Sequence, residues 1–223
     1  MNRAKYYVII ILLKSICGDT MTKIKICGIT CREDVEILNE FLPEYAGFVM
    51  YFPKSRRNIS VQTAYSLLLL LDKRIKTVAV TVCPTAEQVS EIEKCGFDFI
   101  QMHGDVESSV IDNSPIPVFK AFNVSDIYKV TSYAENKKVC GYVFDAATPG
   151  SGKTFNWNIL KNIPHENKLF VLAGGLDFSN VSAAIEIINP DIVDVSSGVE
   201  NETKTGKSRE KVSGFITAVR KSI

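Results

Sequence analysis

The stretch Lys23–Thr30, KIKICGIT, decides the expected fold. It predicts a short β-strand that ends at Gly28 and leaves Cys27 at its carboxyl end. Because side chains alternate between the two faces of a strand, Lys25 and Cys27 share one face and the isoleucines share the other. Outward isoleucines with an inward Lys–Cys pair fit a barrel covered by helices, in which polar residues at strand carboxyl ends carry the chemistry.

Seven further apolar runs follow along the chain, each succeeded by a loop and a helical pattern. The predicted strands after the first cover residues 45–50, 76–82, 97–102, 117–122, 139–144, 169–172 and 191–195. Eight such units within about 200 residues predict an α/β fold, a single (β/α)₈ TIM barrel. The alternative, an open doubly wound sheet, lacks its glycine fingerprint after the first strand.

Helix signals lie between the strands. Ser60 and Ser125 are expected to be the N-caps of helices that run to about residues 71 and 135, and Gly96 should end the helix that Thr85 begins. Further helical segments are predicted over residues 155–160, 178–188 and 208–220.

Composition limits the function classes. Of the 223 residues 46% are apolar, net charge is +1, and no basic cluster suggests nucleic-acid binding. Six cysteines without C-x-x-C spacing are typical of reduced thiols in the cytoplasm, not of disulfides or a zinc site. Only two histidines, His103 and His165, are present, so no metal centre is expected. The helices show no single apolar patch that would predict an oligomeric state.

Residues 1–20 differ from the rest of the chain. Their apolar run, 6–13, is too short to cross a bilayer, and no small-x-small cleavage site follows it. We expect 1–20 to be an extension, or to precede the true start at Met21, and to lie outside a barrel domain over 21–223. A membrane location is not expected, and an export signal is the alternative.

Small residues follow the last two strands. Gly174 and Gly175 come after the seventh strand, and Ser196, Ser197 and Gly198 come after the eighth. Backbone N–H groups there can approach an anion closely, and these loops often bind phosphate in such barrels. A phosphorylated small molecule is therefore the expected ligand, although glycines can also serve only as turns.

A second glycine-rich segment, 150–154, contains the G-K-T of a nucleotide P-loop. Ala147 stands where that motif needs its first glycine, and the segment follows the sixth strand of a barrel-like chain. A mobile lid over the barrel mouth is the preferred interpretation.

Two residues are candidates for acid–base chemistry. Asp145 ends the sixth strand, where a desolvated carboxyl can act as a general acid, although it can also simply cap a loop. Cys27 needs a nearby positive charge to act as a base, which Lys25 can supply; otherwise it is an inert buried thiol. Asp194 is expected to pair with Lys25 beneath the site.

Arg57 lies on the polar loop after the second strand. An arginine there can bind a substrate carboxylate with two hydrogen bonds, or remain a solvated charge. His103, after the fourth strand, is expected either to line the mouth or to be structural.

Six ordered motifs from Lys23 onward resemble the phosphoribosylanthranilate isomerase family. They are KIKICGIT, GFVMYFPKSRRNIS, IQMHGD, VFDAATPGSGKTFNW, LAGGL and VDVSSGVE. The resemblance implies a (β/α)₈ enzyme of tryptophan biosynthesis that performs an Amadori rearrangement without metal or cofactor. It further implies Cys27 as base, Asp145 as acid, Arg57 on the anthranilate carboxylate, and the small residues after the last two strands as a phosphate cup.

The chain departs from this family pattern at two places. Cys83 stands where the family usually has Asn, and the lid carries Pro-Gly-Ser-Gly and Asn156 in place of a Gly-Gly pair and Asp. Two alternatives remain at this point. The related histidine-pathway isomerase usually has Asp in the position of Cys27 and two half-barrel repeats, and a degenerate barrel would bind phosphorylated ligands without turnover.

Overall fold

A computed structural model describes residues 21–146, 154–165, 167–203 and 205–222. Eight parallel strands form a closed barrel, because the first strand pairs with both the second and the last. They are β1 (Lys23–Cys27), β2 (Tyr45–Met50), β3 (Lys76–Val82), β4 (Phe99–His103), β5 (Val118–Asn123), β6 (Val139–Asp145), β7 (Leu169–Leu172) and β8 (Ile192–Val195). The predicted fold class is confirmed, with strand ends displaced by two residues at most. A two-residue strand that the sequence did not indicate, Asn58–Ile59, pairs with the end of β2.

The helices of the described chain lie outside the barrel. They are α1 (Arg32–Phe41), α2 (Val61–Leu70), α3 (Ala86–Cys95), α4 (Ser108–Asp112), α5 (Val181–Ile188) and α6 (Arg209–Lys221). Ser60 caps α2 as expected, since its Oγ accepts a hydrogen bond from Thr63 N at 3.1 Å. Gly96 ends α3 in the left-handed conformation, with φ of +98°. None of the helices in the described ranges is both long and apolar enough to traverse a bilayer.

A helix forms where one was predicted to follow Ser125, but the N-cap at Ser125 is wrong. Val124–Tyr133 forms a 3₁₀ helix preceded by Asn123, whose side chain makes no capping hydrogen bond. The apolar residues of this segment recur at every third position, which matches three residues per turn better than 3.6. They are Val124, Ile127, Val130 and Tyr133.

Two further helix predictions need shortening. Within 155–160 the structure has a 3₁₀ turn over Trp157–Leu160. The helix expected over 178–188 begins at Val181, because Asp177 N donates to Asn180 Oδ1 and Asp177 Oδ1 accepts from Ser179 N, at 3.0 and 2.7 Å. In this turn the backbone N–H groups of Asp177 and Ser179 find side-chain acceptors before the helix starts.

The apolar core has two layers. Ile24 and Ile26 of β1 face the helices and are fully buried, as the alternation predicted. Inside the barrel, Tyr45 packs edge to face against Phe99 and Phe119, which are tilted against each other, with ring centroids 5.1–6.3 Å apart. The prediction for residues 1–20, and that of a lid over 150–154 except for its last residue, concern residues outside those described.

Candidate active site

Eight of the nine predicted site residues line one cavity of about 420 Å³ at the carboxyl ends of the barrel strands. They are Cys27, Arg57, Asp145, Gly174, Gly175, Asp194, Ser196 and Ser197. Parallel strands bring these residues together because their carboxyl ends meet at one edge of the barrel. Gly198 does not line the cavity; it packs against the Leu176 carbonyl, which an added Cβ would approach to 2.1 Å.

Cys27 is the last residue of β1, and it is buried at 8% exposure. Its thiol lies over Gly47 of β2, the residue paired with it in the barrel. A Cβ at position 47 would come within 2.7 Å of Cys27 Sγ, so only glycine leaves room for the thiol.

The expected contact between Lys25 and Asp194 is present one layer below Cys27. Lys25 Nζ donates to Asp194 Oδ2 at 2.7 Å and to Gln101 Oε1 at 3.0 Å. Burial opposes the ammonium form of Lys25, but attraction to Asp194 and Cys27 outweighs it and raises the lysine pKa above its ordinary value. Asp194 Oδ1 is buried and has no hydrogen-bond partner among the described residues.

The thiol of Cys27 is held mainly in its protonated form. Burial raises the pKa of this thiol, and the carboxylate of Asp194 adds to the rise. Lys25, Lys207 and Arg57 act in the opposite direction without reversing it. A positive charge beside the thiol is therefore present, as its chemistry requires, but the thiolate is a minor species.

Asp145 is the last residue of β6, and its Oδ1 accepts a hydrogen bond from Ala146 N at 2.8 Å. Burial raises the pKa of this carboxyl to about 6, although the hydrogen bond from Ala146 opposes the shift. About a tenth of the carboxyl therefore carries a proton at pH 7, far more than in an ordinary aspartate, which suits a proton donor.

Arg57 is held across the end of β1 by a buried carboxylate. Its Nε donates to Glu200 Oε1 at 2.6 Å, and Arg56 also contacts Glu200. Arg57 Nη2 is buried without a hydrogen-bond partner in the part of the chain that the structure describes. Gly28, with φ of +82°, makes room for this side chain, since a Cβ there would lie 2.5 Å from Arg57 Cδ.

His103 lines the same cavity from β4. Its Nε2 lies 2.8 Å from Gln101 Nε2. Because Gln101 Oε1 already accepts from Lys25, the Gln101 amide donates to His103, whose proton is then on Nδ1. Burial, with Lys120 and Lys25 as further causes, lowers the pKa of His103 to about 3, so the ring is neutral.

The loops after β7 and β8 supply small residues and an unpaired hydroxyl. Ser196 Oγ is buried and has no partner among the described residues, and it lies beside Gly174, Gly175 and Ser197 on the cavity wall. In the described ranges, no three or more His, Cys, Asp or Glu side chains are grouped so as to hold a metal ion.

Sequence reasoning missed three residues that organise the cavity. Gln101 shares the inward face of β4 with His103, a signal that strand alternation offers. Glu200 and Lys207 follow β8, and Lys207 Nζ donates to the carbonyl of Cys27 at 2.6 Å. No local pattern indicates these last two, because Arg57 and Cys27, the site residues that they bind, lie more than a hundred residues away in the sequence.

Comparisons with known proteins agree with each other. The family model described as N-(5'phosphoribosyl)anthranilate (PRA) isomerase matches residues 24–218. A relative from Thermoanaerobacter sp. (strain X514), named N-(5'-phosphoribosyl)anthranilate isomerase, is 45% identical over 206 residues, or 90% of this chain and 98% of the relative.

Solved structures match over the same range. The crystal structure of phosphoribosyl anthranilate isomerase from Thermotoga maritima has a TM-score of 0.80 and 31% identity, covering 90% of this chain and all of that one. Another, of phosphoribosyl anthranilate isomerase in complex with reduced 1-(o-carboxyphenylamino)-1-deoxyribulose 5-phosphate, has a TM-score of 0.77 and 28% identity over 90% of this chain and 100% of that one.

Proposed function

Since the chain belongs to the N-(5'-phosphoribosyl)anthranilate isomerase family, and is therefore an isomerase of tryptophan biosynthesis, we propose that Cys27 is its general base and Asp145 its general acid. The enzyme converts N-(5-phosphoribosyl)anthranilate to 1-(2-carboxyphenylamino)-1-deoxyribulose 5-phosphate by an Amadori rearrangement. The observation that supports the two roles is that a thiol on β1 and a carboxyl of raised pKa on β6 face one cavity.

Asp145 acts first in this proposal. Its carboxyl donates a proton to the ribose ring oxygen, and the bond between that oxygen and C1' breaks. The lone pair of the anthranilate nitrogen forms a C=N bond to C1', which gives a protonated Schiff base. The pKa of about 6 suits this step, because the group must hold its proton near neutral pH and still release it.

Cys27 acts second. Its thiolate removes the proton from C2', and the released electron pair forms the C1'=C2' double bond while the C=N electrons return to nitrogen. The resulting enolamine becomes the ketone when the 2'-hydroxyl loses its proton and C1' gains one. The reaction is an isomerisation, so no oxidant or reductant enters or leaves.

The remaining predicted residues bind the substrate in this scheme. Arg57 Nη2, buried and without a partner among the described residues, donates to the anthranilate carboxylate, which an arginine edge matches in shape and charge. Gly174, Gly175, Ser196 and Ser197 bind the phosphate, with Ser196 Oγ as an available donor, whereas Gly198 packs outside the cavity. Asp194 Oδ1, which also has no partner in the described part of the chain, accepts a hydrogen bond from a sugar hydroxyl.

We further propose a cytoplasmic location and a small phosphorylated molecule as the ligand. The five described cysteines are free thiols, as is usual in a reducing compartment, and the enzyme's pathway is biosynthetic. The alternative of a barrel that binds phosphorylated ligands without turnover has no support from the comparisons.

Decay of anthranilate fluorescence on freshly generated phosphoribosylanthranilate tests the roles. Cys27→Ala and Asp145→Ala should each lower kcat by about 10²-fold or more, the scale of losing a general acid or base. Cys95→Ala, which changes a buried cysteine on α3 outside the cavity, is the matched control. A folded Cys27→Ala variant with undiminished kcat would exclude the thiol as base, and wild-type binding without turnover would favour the ligand-binding alternative.

A further inference from the structure

Lys207 lies behind the cavity wall, between the carboxyl ends of β1 and β8. It is buried at 6% exposure, and its Nζ donates to Cys27 O at 2.6 Å and to Ser196 O at 3.2 Å. The lysine thus hydrogen-bonds to the backbone of Cys27, the proposed base, and to the backbone of Ser196, in the loop after β8 that is proposed to bind phosphate.

The main chain of Lys207 is fixed as firmly as its side chain. Its N–H donates to Asp34 Oδ1 at 2.6 Å, and Asp34 Oδ2 accepts from Thr30 N at 2.9 Å. Residue 207 also bridges back to Glu200, which holds Arg57. These contacts give the ammonium one defined position at the end of β1.

Lys207 forms no ion pair among the described residues. Within the described ranges no carboxylate oxygen lies within 4.0 Å of its Nζ, and its hydrogen-bond partners are neutral carbonyls. Burial lowers the pKa of Lys207, while the nearby Cys27, Glu200 and Asp34 oppose that shift. A buried cation is costly unless it is paired, so its retention needs a reason.

Four charged groups act on the Cys27 thiol, and they lie on different elements. Lys25 on β1 is bonded to Asp194 on β8, and Arg57 on the loop after β2 is bonded to Glu200. The field of each of these two cations is therefore partly cancelled by a carboxylate. Among the described residues, Lys207 is the cation of this set without a direct ion pair, and Glu200 and Asp34 act on it only from a longer distance.

We propose that Lys207 is a positioning residue for the base: its ammonium stabilises the thiolate of Cys27, and its two hydrogen bonds hold the ends of β1 and β8 in place. This rests on the proposed role of Cys27. It adds a second cation to Lys25, which acts on the Cys27 thiol as expected but has the carboxylate of Asp194 directly against it.

The pH dependence of Cys27 alkylation by iodoacetamide tests the charge directly, because the thiolate displaces iodide and the thiol does not. Trypsin leaves Cys27 and Cys31 in one peptide, residues 26–32, so the experiment uses a Cys31→Ser background and mass spectrometry. The variants are Lys207→Gln, which keeps a donor for the carbonyls without charge, Lys207→Met, and Lys207→Arg, which keeps the charge. Lys211→Met, a lysine that donates to the Glu200 carbonyl, is the control.

In Lys207→Gln and Lys207→Met the rate of Cys27 alkylation should reach half of its maximum at a higher pH than in wild type. We expect this midpoint pH to rise by about one unit, the scale for losing a nearby opposite charge. At pH 7.5 kcat should fall about tenfold with a smaller change in KM, while Lys207→Arg and Lys211→Met keep the wild-type midpoint. An unchanged midpoint in a folded uncharged variant, or an equal shift in Lys207→Arg, would overturn the proposal. An active Cys27→Ala variant would instead refute the base assignment and leave the alkylation result standing, so the two failures are distinguishable.

Discussion

Glu200 Oε1 accepts a hydrogen bond from Arg57 Nε at 2.6 Å, while Arg57 Nη2 is buried and has no partner among the residues that the structure describes. Glu200 is itself only 5% exposed and also contacts Arg56. The arginine therefore presents a fixed edge to the cavity, and the position of that edge depends on a residue 143 positions away in the chain.

Replacing Glu200 by Gln should weaken substrate binding more than chemistry. Loss of the charged partner lets Arg57 swing away from the anthranilate carboxylate, and we expect KM to rise about tenfold, or ~1.4 kcal/mol, with kcat within about twofold of wild type. Steady-state kinetics measure both. Glu202→Gln, at 91% exposure, is the control. Unchanged KM in Glu200→Gln would show that Arg57 does not need this contact.

The pH profile of kcat/KM should be flat across neutrality. The productive state needs Asp145 protonated and Cys27 ionised, although the pKa of Asp145 is about 6 and that of Cys27 is raised above its usual value. This state has nearly constant population between the two pKa values, so kcat/KM should rise up to about pH 6 and fall only where the thiol titrates. Initial rates from pH 5 to 10 measure it. A decline between pH 6 and 8 would place the thiol pKa below neutrality.

Asp145→Asn should make the protein more stable at alkaline pH. The folded-state pKa of Asp145, about 6, lies above the roughly 3.9 of an unfolded aspartate, so its ionisation disfavours the folded state. Its contribution to stability is fully present below about pH 4 and is lost as pH rises through about 6. The variant should gain up to about 3 kcal/mol at pH 8 and almost nothing at pH 4. Urea unfolding at the two pH values checks this, and an equal difference at both would contradict it.

Lys25→Met should be strongly destabilising. Lys25 and Asp194 are 2% and 7% exposed, and removal of one partner leaves the other charge buried and unpaired, at a cost of about 3–5 kcal/mol. The double variant Lys25→Met/Asp194→Leu should recover most of that loss without recovering activity. Arg74→Ala, which breaks an exposed pair with Asp72, is the control and should change stability little, because solvent screens that pair. If the double variant were as unstable as Lys25→Met, charge burial would not be the cause.

Much of the site could be predicted because it depends on local pattern. The position of Cys27 follows from strand alternation and from the glycine that ends β1, and Asp145 and Ser196 follow from the same rule at other strands. Parallel strands then bring these ends to one side of the barrel, independently of the conformation of the loops. The helix predicted over 125–135 is present as a 3₁₀ helix over Val124–Tyr133, a type that its apolar residues at every third position suit, and only its N-cap at Ser125 was wrong.

The chain by itself thus determined the eight βα units, the residues at the strand ends and the kind of chemistry those residues can perform. Only the tertiary structure decided which charges meet. Lys207 reaches Cys27 across 180 residues, and Glu200 reaches Arg57 across 143. The tertiary structure also decided the protonation states of Asp145, Cys27 and His103, because burial is the main cause of the pKa shift of each. Burial belongs to the packed cavity and not to any segment of sequence, which is why strand alternation located these groups but could not assign their protons.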